Sequence, residues 1–239
     1  MDEFTKVTTA ILAGGLGSRL RSAVTDRPKA LANVGGRPFL TYLFDQLVAA
    51  GTRDVVLCTG YLGDQIAMRF GESYGTLRLS YSRESTPLGT AGSLRLALSL
   101  FNSDPVLVMN GDSYCDTNLR EFWLWHGKKK AKATLLLTKI LDTARFGRVR
   151  ADPDGKITDF NEKGSGRGLG WINAGVYLLS RDLLTVIPSN RAVSLEKEVF
   201  PKWIGRGLYG FQSEARFIDI GTPEAYTSAQ SFFAGGLAR

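Results

Sequence analysis

The sequence predicts an α/β fold with a mixed, mostly parallel central sheet flanked by helices, and a smaller β-rich part in its second half. Three observations predict it. Short apolar runs alternate with helix-period stretches from Val7 to Leu100, the connections between them are short, and beyond Lys139 the pattern changes to that of a hairpin.

Val7 to Leu12 is apolar and short, as a buried central strand of a parallel sheet is. Pro38 to Ala50 carries apolar residues at Phe39, Leu40, Leu43, Phe44, Leu47 and Val48, a helical stripe that Gly51 stops. Val55 to Cys58 is the next strand, Asp64 to Phe70 the next helix and Leu77 to Tyr81 the strand after it. Gly92 to Leu100 continues as a helix, and Val106 to Met109 is a strand that ends in Asn110-Gly111-Asp112. Asn118 is placed to cap a helix over Leu119 to Trp125, and Thr134 to Lys139 returns to strand. Arg148 to Ala151 and Lys156 to Phe160 flank Asp152-Pro153-Asp154-Gly155, a hairpin signal. Gly164 to Gly168 reads as a surface loop and Trp171 to Leu179 as a long strand. Leu195 to Ile204 reads as a helix despite Pro201, Phe217 to Ile220 as a strand and Pro223 to Phe232 as a last helix with proline in its first turn. One Rossmann-like domain over residues 1–233 and a frayed tail over 234–239 follow from this pattern.

At 239 residues, 44% hydrophobic and 22% charged, the chain can bury a sizeable core, and no apolar run is long enough to span a bilayer. The N-terminus lacks a basic, then apolar, secretory pattern, so a cytoplasmic location is expected. Cys58 and Cys115 lie far apart in apolar contexts and suit reduced, buried thiols. The net charge of +7 is unevenly spread: five cations and one acid lie between Arg19 and Arg37, and Lys128, Lys129, Lys130 and Lys132 read as a solvated helix end. No basic stretch is interleaved with aromatics, which disfavours nucleic acid, and a homo-oligomer is compatible with the chain.

The chemistry starts where the first strand breaks into Gly14, Gly15 and Gly17, followed by Ser18 and Arg19. A P-loop needs a lysine after its second glycine, and the dinucleotide fingerprint needs a third glycine where Leu20 stands, so both patterns fail. What remains is a strand end, glycines whose backbone N–H groups approach an anion closely, and an arginine fork. Asp112 stands at the carboxyl end of a parallel strand, where open α/β sheets place ligands, and its carboxylate suits Mg²⁺. Asp219 is the natural second ligand if its strand neighbours that of Asp112; Thr222 is the better cap for the last helix. Lys29 follows Pro28 as a fixed point charge. Gly89 to Gly92 precede a helix and present little side chain, which would admit a nucleobase or sugar. Gly175 lies mid-strand, a mark of close approach. His126, the one histidine, adjoins Trp125 at a helix end and reads as structural, so a mechanism without a general base fits.

The string Leu12 to Leu20, with Pro28-Lys29-Ala30-Leu31, resembles the signature of the sugar-1-phosphate nucleotidyltransferases. Gly89-Thr90-Ala91-Gly92, Gly111-Asp112, Glu162-Lys163, Asn173-Ala174-Gly175 and Asp219 to Glu224 follow in that family's order. The resemblance implies that family's fold and transfer of a nucleotidyl group from a nucleoside triphosphate to a sugar 1-phosphate, with Mg²⁺ on Asp112 and Asp219. Arg19, Lys29 and Asp112 become the catalytic residues. Leu12, Ala13, Gly14, Gly15, Gly17 and Ser18 become nucleotide ligands together with Arg19 and Lys29. Pro87, Leu88, Gly89 and Thr90, then Gly111 and Asp112, complete that side. The sugar phosphate falls to Gly92, Asp112, Gly147, Glu162, Lys163, Asn173, Ala174 and Gly175. Thr86 to Gly92, Phe146 to Val149 and Ser194 to Lys197 are most similar to members that use GTP and D-glycero-α-D-manno-heptose 1-phosphate. Guanylyl, uridylyl or thymidylyl transfer to mannose, glucose or N-acetylmuramate 1-phosphate, and a non-catalytic nucleotide-sugar sensor on the same fold, remain as alternatives.

Overall fold

The computed structural model describes residues 3–20, 24–161, 168–189 and 191–234. Its strands are β1 (Thr8–Ala13), β2 (Asn33–Val34), β3 (Arg37–Pro38), β4 (Asp54–Thr59), β5 (Ser73–Tyr74), β6 (Leu77–Arg83) and β7 (Val106–Asn110). They continue with β8 (Ser113–Cys115), β9 (Ala133–Ile140), β10 (Arg148–Ala151), β11 (Ile157–Asn161), β12 (Gly170–Leu179), β13 (Leu208–Ser213) and β14 (Phe217–Asp219). The helices are α1 (Leu40–Ala50), α2 (Gly63–Phe70), α3 (Gly89–Leu96), α4 (Leu119–Lys129), α5 (Arg181–Thr185), α6 (Phe200–Trp203) and α7 (Pro223–Ala234). Among the described residues no helix is long and apolar enough to cross a membrane.

Eight strands form the main sheet in the order β13-β9-β12-β7-β1-β4-β6-β5. β7, β1, β4 and β6 run parallel, while β12 enters antiparallel to both β7 and β9. The chain winds outward from β1 to β6 and then returns to lay β7 on the other side of β1. That reversal leaves a crevice at the carboxyl ends of β1 and β7, where α/β sheets bind ligands. β10 and β11 form the expected hairpin, closed by Gly155 N–H donating to Asp152 O at 2.9 Å. β8 and β14 form a separate antiparallel pair beside the crevice.

The two sheet faces bury two cores, and β1 supplies both because its side chains alternate. Ile11 and Ala13 belong to the same core as Phe44 and Leu47 of α1 and Phe122 of α4, whereas Ala10 belongs to the other, with Leu94 of α3, Leu183 and Phe200. Gly51, at φ 85°, ends α1 by donating its N–H to Leu47 O. Asn118 caps α4 through N–H groups of Arg120 and Glu121. Lys128 and Lys129 fall in the last turn of α4, and Lys130 is its C-cap.

Several elements differ from the sequence pattern. α3 begins at Gly89, so Gly89 to Gly92 are its first turn rather than a lead-in. The segment around Pro201 is a π-helical turn, Leu195–Val199, followed by α6, in which the proline occupies the first turn and is not asked to donate. The edge strand β13 and the short α5 carry no pattern that stood out. α7 includes Ala234, which the sequence pattern placed in the tail, and residues 235–239 lie outside the described ones. Residues 164–167 of the glycine-rich loop do too.

Cys58 and Cys115 are free and buried, and burial pushes both thiols up to about 12. His126 is 6% exposed, with Nδ1 2.7 Å from Thr134 Oγ1, and burial lowers its pKa from 6.5 to about 4, against a small opposing pull from Asp104. The folded protein therefore holds a neutral imidazole that the unfolded chain protonates at higher pH. Its stabilising contribution is complete above pH 6.5, declines as pH falls toward 4, and amounts to about 3 kcal/mol at most. Denaturant unfolding between pH 7 and pH 4 should show this loss in the natural chain and a flatter profile in His126→Gln. Equal slopes in the two proteins would show that another group controls the acid limb.

Candidate active site

The loop after β1 and the residues after β7 meet at the crevice floor. Gly111 N–H donates to Leu12 O at 2.9 Å, fastening the two strand ends to one another. Above them lies a cavity of about 340 Å³, lined by Leu12 to Arg19, Lys29, Pro87, Gly89, Thr90, Gly111 and Asp112. The glycine loop closes on itself through Leu20 N–H donating to Gly17 O at 2.9 Å. Arg19 is exposed and faces the cavity.

A second cavity of about 220 Å³ adjoins the first and shares Arg19, Asn110 and Asp112 with it. Gly147, Asn173, Ala174, Gly175 and Asp219 line it. Here β12 bulges: Asn173 pairs with Leu137 and Tyr177 with Leu135, so four steps on β12 match two on β9. Gly175 sits inside the bulge at φ 76°, and a Cβ there would lie 2.6 Å from Asn110 Nδ2 and 2.7 Å from Ser113 Oγ. The bulge thus turns residues 173–175 toward the crevice, as bulges beside ligand sites do.

Asp112 and Asp219 come together through the β8–β14 pair. Asp219 pairs with Ser113, and Ile220 N–H donates to Asp112 O at 2.9 Å. Lys29, 12% exposed, donates Nζ to Asp112 Oδ2 at 2.5 Å. Arg145 bonds Asp219 Oδ1 at 3.1 Å, and Gly221 N–H bonds Oδ2 at 3.0 Å. Thr222 Oγ1 accepts from Ala225 N–H and caps α7, which leaves Asp219 to the crevice. A carboxylate in the turn before β8 and one at the end of β14 are an oxygen donor set that fits Mg²⁺, an ion commonly held by one or two carboxylates plus substrate phosphates. Among the described residues no cluster of three or more His, Cys, Asp or Glu side chains surrounds a metal position, so substrate oxygens and water would complete the shell.

Three expectations need correction or stand aside. Leu88 and Gly92 line neither cavity: they face a separate groove, and Leu88 O accepts from Val193 N–H at 2.8 Å. The small residues of Gly89 to Gly92 serve packing, since a Cβ at Gly89 would lie 2.6 Å from Val193 O and one at Gly92 3.1 Å from Arg191 O. Gly89 and Thr90 still border the nucleotide-side cavity. Glu162 and Lys163 lie outside the described residues.

The sequence reading missed Glu84, Asn110, Arg145, Glu196 and Gly221 as site residues. Glu84 is buried at the cavity wall, where Oε2 accepts from Leu88 N–H at 3.2 Å and Ser93 Oγ at 2.5 Å. Asn110 borders both cavities and keeps a buried Oδ1 without a partner. Asn110 and Gly221 flank the two aspartates in sequence, a signal that was available; Glu84 and Arg145 carry none.

A nucleotidyl transferase family profile matches residues 8–235. The chain belongs to the nucleotidyl transferase family. It is 37% identical over 221 residues to D-glycero-α-D-manno-heptose 1-phosphate guanylyltransferase of Aneurinibacillus thermoaerophilus, covering 92% of this chain and 95% of that one. It is 33% identical over 237 residues to mannose-1-phosphate guanylyltransferase of Mycobacterium tuberculosis, covering 98% of this chain but spanning only 66% of the relative. The crystal structure of HddC from Yersinia pseudotuberculosis superposes with a TM-score of 0.85 at 32% identity, over 95% of this chain and 99% of that one. A structure of HddC complexed with GMP-PN gives 0.82 at 31% identity, with the same coverage.

Gly221 offers a test of the geometry at the floor. A Cβ there would run into the Asp219 carboxylate and stand 3.3 Å from Lys29 Nζ, whereas one at Gly127 in α4 meets nothing within 4 Å. Gly221→Ala should lower kcat/KM by about tenfold or more, since displaced electrostatic groups cost that much. Gly127→Ala should keep full activity and gain up to about 1 kcal/mol of stability. Equal activities in the two variants would contradict the placement.

Proposed function

We propose that this chain transfers the guanylyl group of GTP to D-glycero-α-D-manno-heptose 1-phosphate, releasing pyrophosphate and forming the GDP-heptose. The observation that carries this reading is the meeting of two cavities on Asp112, Asn110 and Arg19, one walled by the glycine loop and the other by the β12 bulge. The base and the sugar are taken from the heptose relative, which this chain matches over 95% of its length. Mannose 1-phosphate is the second reading, favoured by the mannose-1-phosphate relatives at 33% and 34% identity.

In this reading a phosphate oxygen of the sugar 1-phosphate attacks the α-phosphorus of GTP in line. The bond from that phosphorus to the bridging oxygen breaks, and pyrophosphate leaves with the electron pair. The attacking phosphate is already an anion at neutral pH, so no side chain has to remove a proton. No histidine or cysteine lines either cavity, and His126 is buried elsewhere against Thr134. Backbone N–H groups of Gly14 to Gly17 take the triphosphate, while Arg19 and Lys29 offset the charge that accumulates as the transfer proceeds. Asn173, Ala174, Gly175 and Gly147 orient the sugar, and Glu162 and Lys163 take its hydroxyls and phosphate. Asp112 and Asp219 would hold Mg²⁺, which would supply positive charge to the phosphates. One domain over residues 1–233 carries this activity, and two buried free thiols suit a reducing, cytoplasmic setting.

The test is pyrophosphate release across the four nucleoside triphosphates and a panel of sugar 1-phosphates, with Mg²⁺ or with EDTA. GTP with the heptose phosphate should give the highest kcat/KM, and EDTA should abolish it. Asp112→Asn should lose at least about a hundredfold in rate, the scale on which one aligned electrostatic group acts. Release from no pair would refute the reading, and undiminished Asp112→Asn turnover would refute the role of that carboxylate.

A further inference from the structure

Glu196 stands on the π-helical turn after Ser194, on the wall of the sugar-side cavity. We propose that Glu196 is a positioning residue that couples the sugar site to the nucleotide site, so that filling one organises the other; this rests on the two-cavity reading above. Its Oε2 accepts from Thr90 Oγ1 at 2.9 Å and from Ser194 Oγ at 2.8 Å, and its Oε1 accepts from Tyr177 Oη at 3.3 Å. Thr90 borders the nucleotide-side cavity from the first turn of α3. Tyr177 Oη in turn accepts from Asn173 Nδ2 at 2.9 Å, and Asn173 Oδ1 holds Gly175 N–H at 3.0 Å. One carboxylate therefore joins the nucleotide wall to the bulge that faces the sugar.

The polarity of this network is fixed by counting protons. Thr90 Oγ1 already accepts from Leu195 N–H at 2.8 Å, so its single proton goes to Glu196. Asn173 Nδ2 donates to Tyr177 Oη, and the phenol proton is left for Glu196. Tyr177 is fully buried, and that burial, reinforced by the adjacent carboxylate, keeps the phenol protonated. Three hydroxyl donors thus converge on one carboxylate, a charge-assisted arrangement that only an acceptor with two oxygens satisfies. A glutamine would present one N–H₂ group to donors and break the chain on one side. Because every member is either buried or hydrogen-bonded on both sides, a shift of Thr90 on nucleotide binding can reach Asn173 only by moving the intervening groups together.

Linkage measures this directly. Isothermal titration reads the affinity of the heptose 1-phosphate in the absence and presence of saturating α,β-methylene GTP, whose bridge cannot be cleaved, with Mg²⁺ present. In the natural chain the analogue should tighten sugar-phosphate binding by at least about fivefold, the lower end of ordinary coupling. Tyr177→Phe and Glu196→Gln should each bring that ratio close to one, the double variant should go no further, and Thr90→Ser, which keeps the hydroxyl, should retain the coupling that Thr90→Val loses. The ratio reads coupling whatever each variant does to the separate affinities, and melting temperatures within a few degrees of the natural chain show that each has folded. An unchanged ratio in Tyr177→Phe and Glu196→Gln, or a natural chain with a ratio of one, would overturn the proposal. Failure of either ligand to bind the natural chain would overturn the functional reading and the coupling with it.

Discussion

Asp112 is the point on which the site is hung. Its carboxylate receives Lys29, its carbonyl receives Ile220 N–H, and the preceding Gly111 N–H reaches back to Leu12 O. Two consecutive residues thereby fix four separate pieces of chain: the end of β1, the end of β7, the turn at Lys29 and the strand of Asp219. The Lys29–Asp112 pair is only partly buried, with Asp112 44% exposed, so its net contribution to stability is roughly 1 kcal/mol or less. Its importance is positional. A cation and a carboxylate that arrive from sites 83 residues apart are held within 2.5 Å at the junction of both cavities.

The division of chemistry follows from what converges there. Cations and backbone N–H groups gather on the glycine-loop side, carboxylates on the β8–β14 side, and amide and glycine backbone on the sugar side. Nothing in either cavity is suited to forming a covalent intermediate through a thiol or an imidazole. Holding reactants in line and stabilising charge is sufficient for phosphoryl-type transfer, and it accounts for a site with few bond-making side chains and many positioning ones.

Much of this was legible in the sequence, for reasons that differ between elements. The parallel strands were visible because buried strands are continuous apolar runs, and the hairpin because Asp154-Gly155 needs a particular turn. The glycine loop and Asp112 were visible because a strand end, a glycine and a charge stand together in the chain, while Lys29 stood out as a charge after Pro28 whose role the family resemblance supplied. Asp219 was legible only on the condition that its strand lay beside the one that ends at Asp112; that strand, β7, lies between β1 and β12, and β14 reaches Asp112 through β8, which the sequence pattern did not show. Gly92 misled because a small residue near a helix start looks the same whether it admits a ligand or a neighbouring backbone, and here the neighbours are Arg191 and Val193; Leu88 borders the separate groove and gives its carbonyl to Val193 N–H. Glu84 and Arg145 were invisible for the opposite reason, and Glu196 was read only as part of the Ser194 to Lys197 string. The partners that draw them to the site, Ser93, Asp219 and Thr90, stand on other elements, so local spacing does not mark their role. The bulge in β12 shows as a glycine in a strand, but the direction in which it turns is set by Asn110 and Ser113 across the crevice.

In this site two phosphates are aligned so that one displaces pyrophosphate from the other directly, with no group of the chain attacking phosphorus. The stereochemical course at the α-phosphorus tests it most directly. With a single diastereomer of GTPαS and the sugar 1-phosphate, one in-line displacement predicts inversion in the GDP-sugar product. Retention would require two displacements through a covalent enzyme intermediate, and would contradict the account.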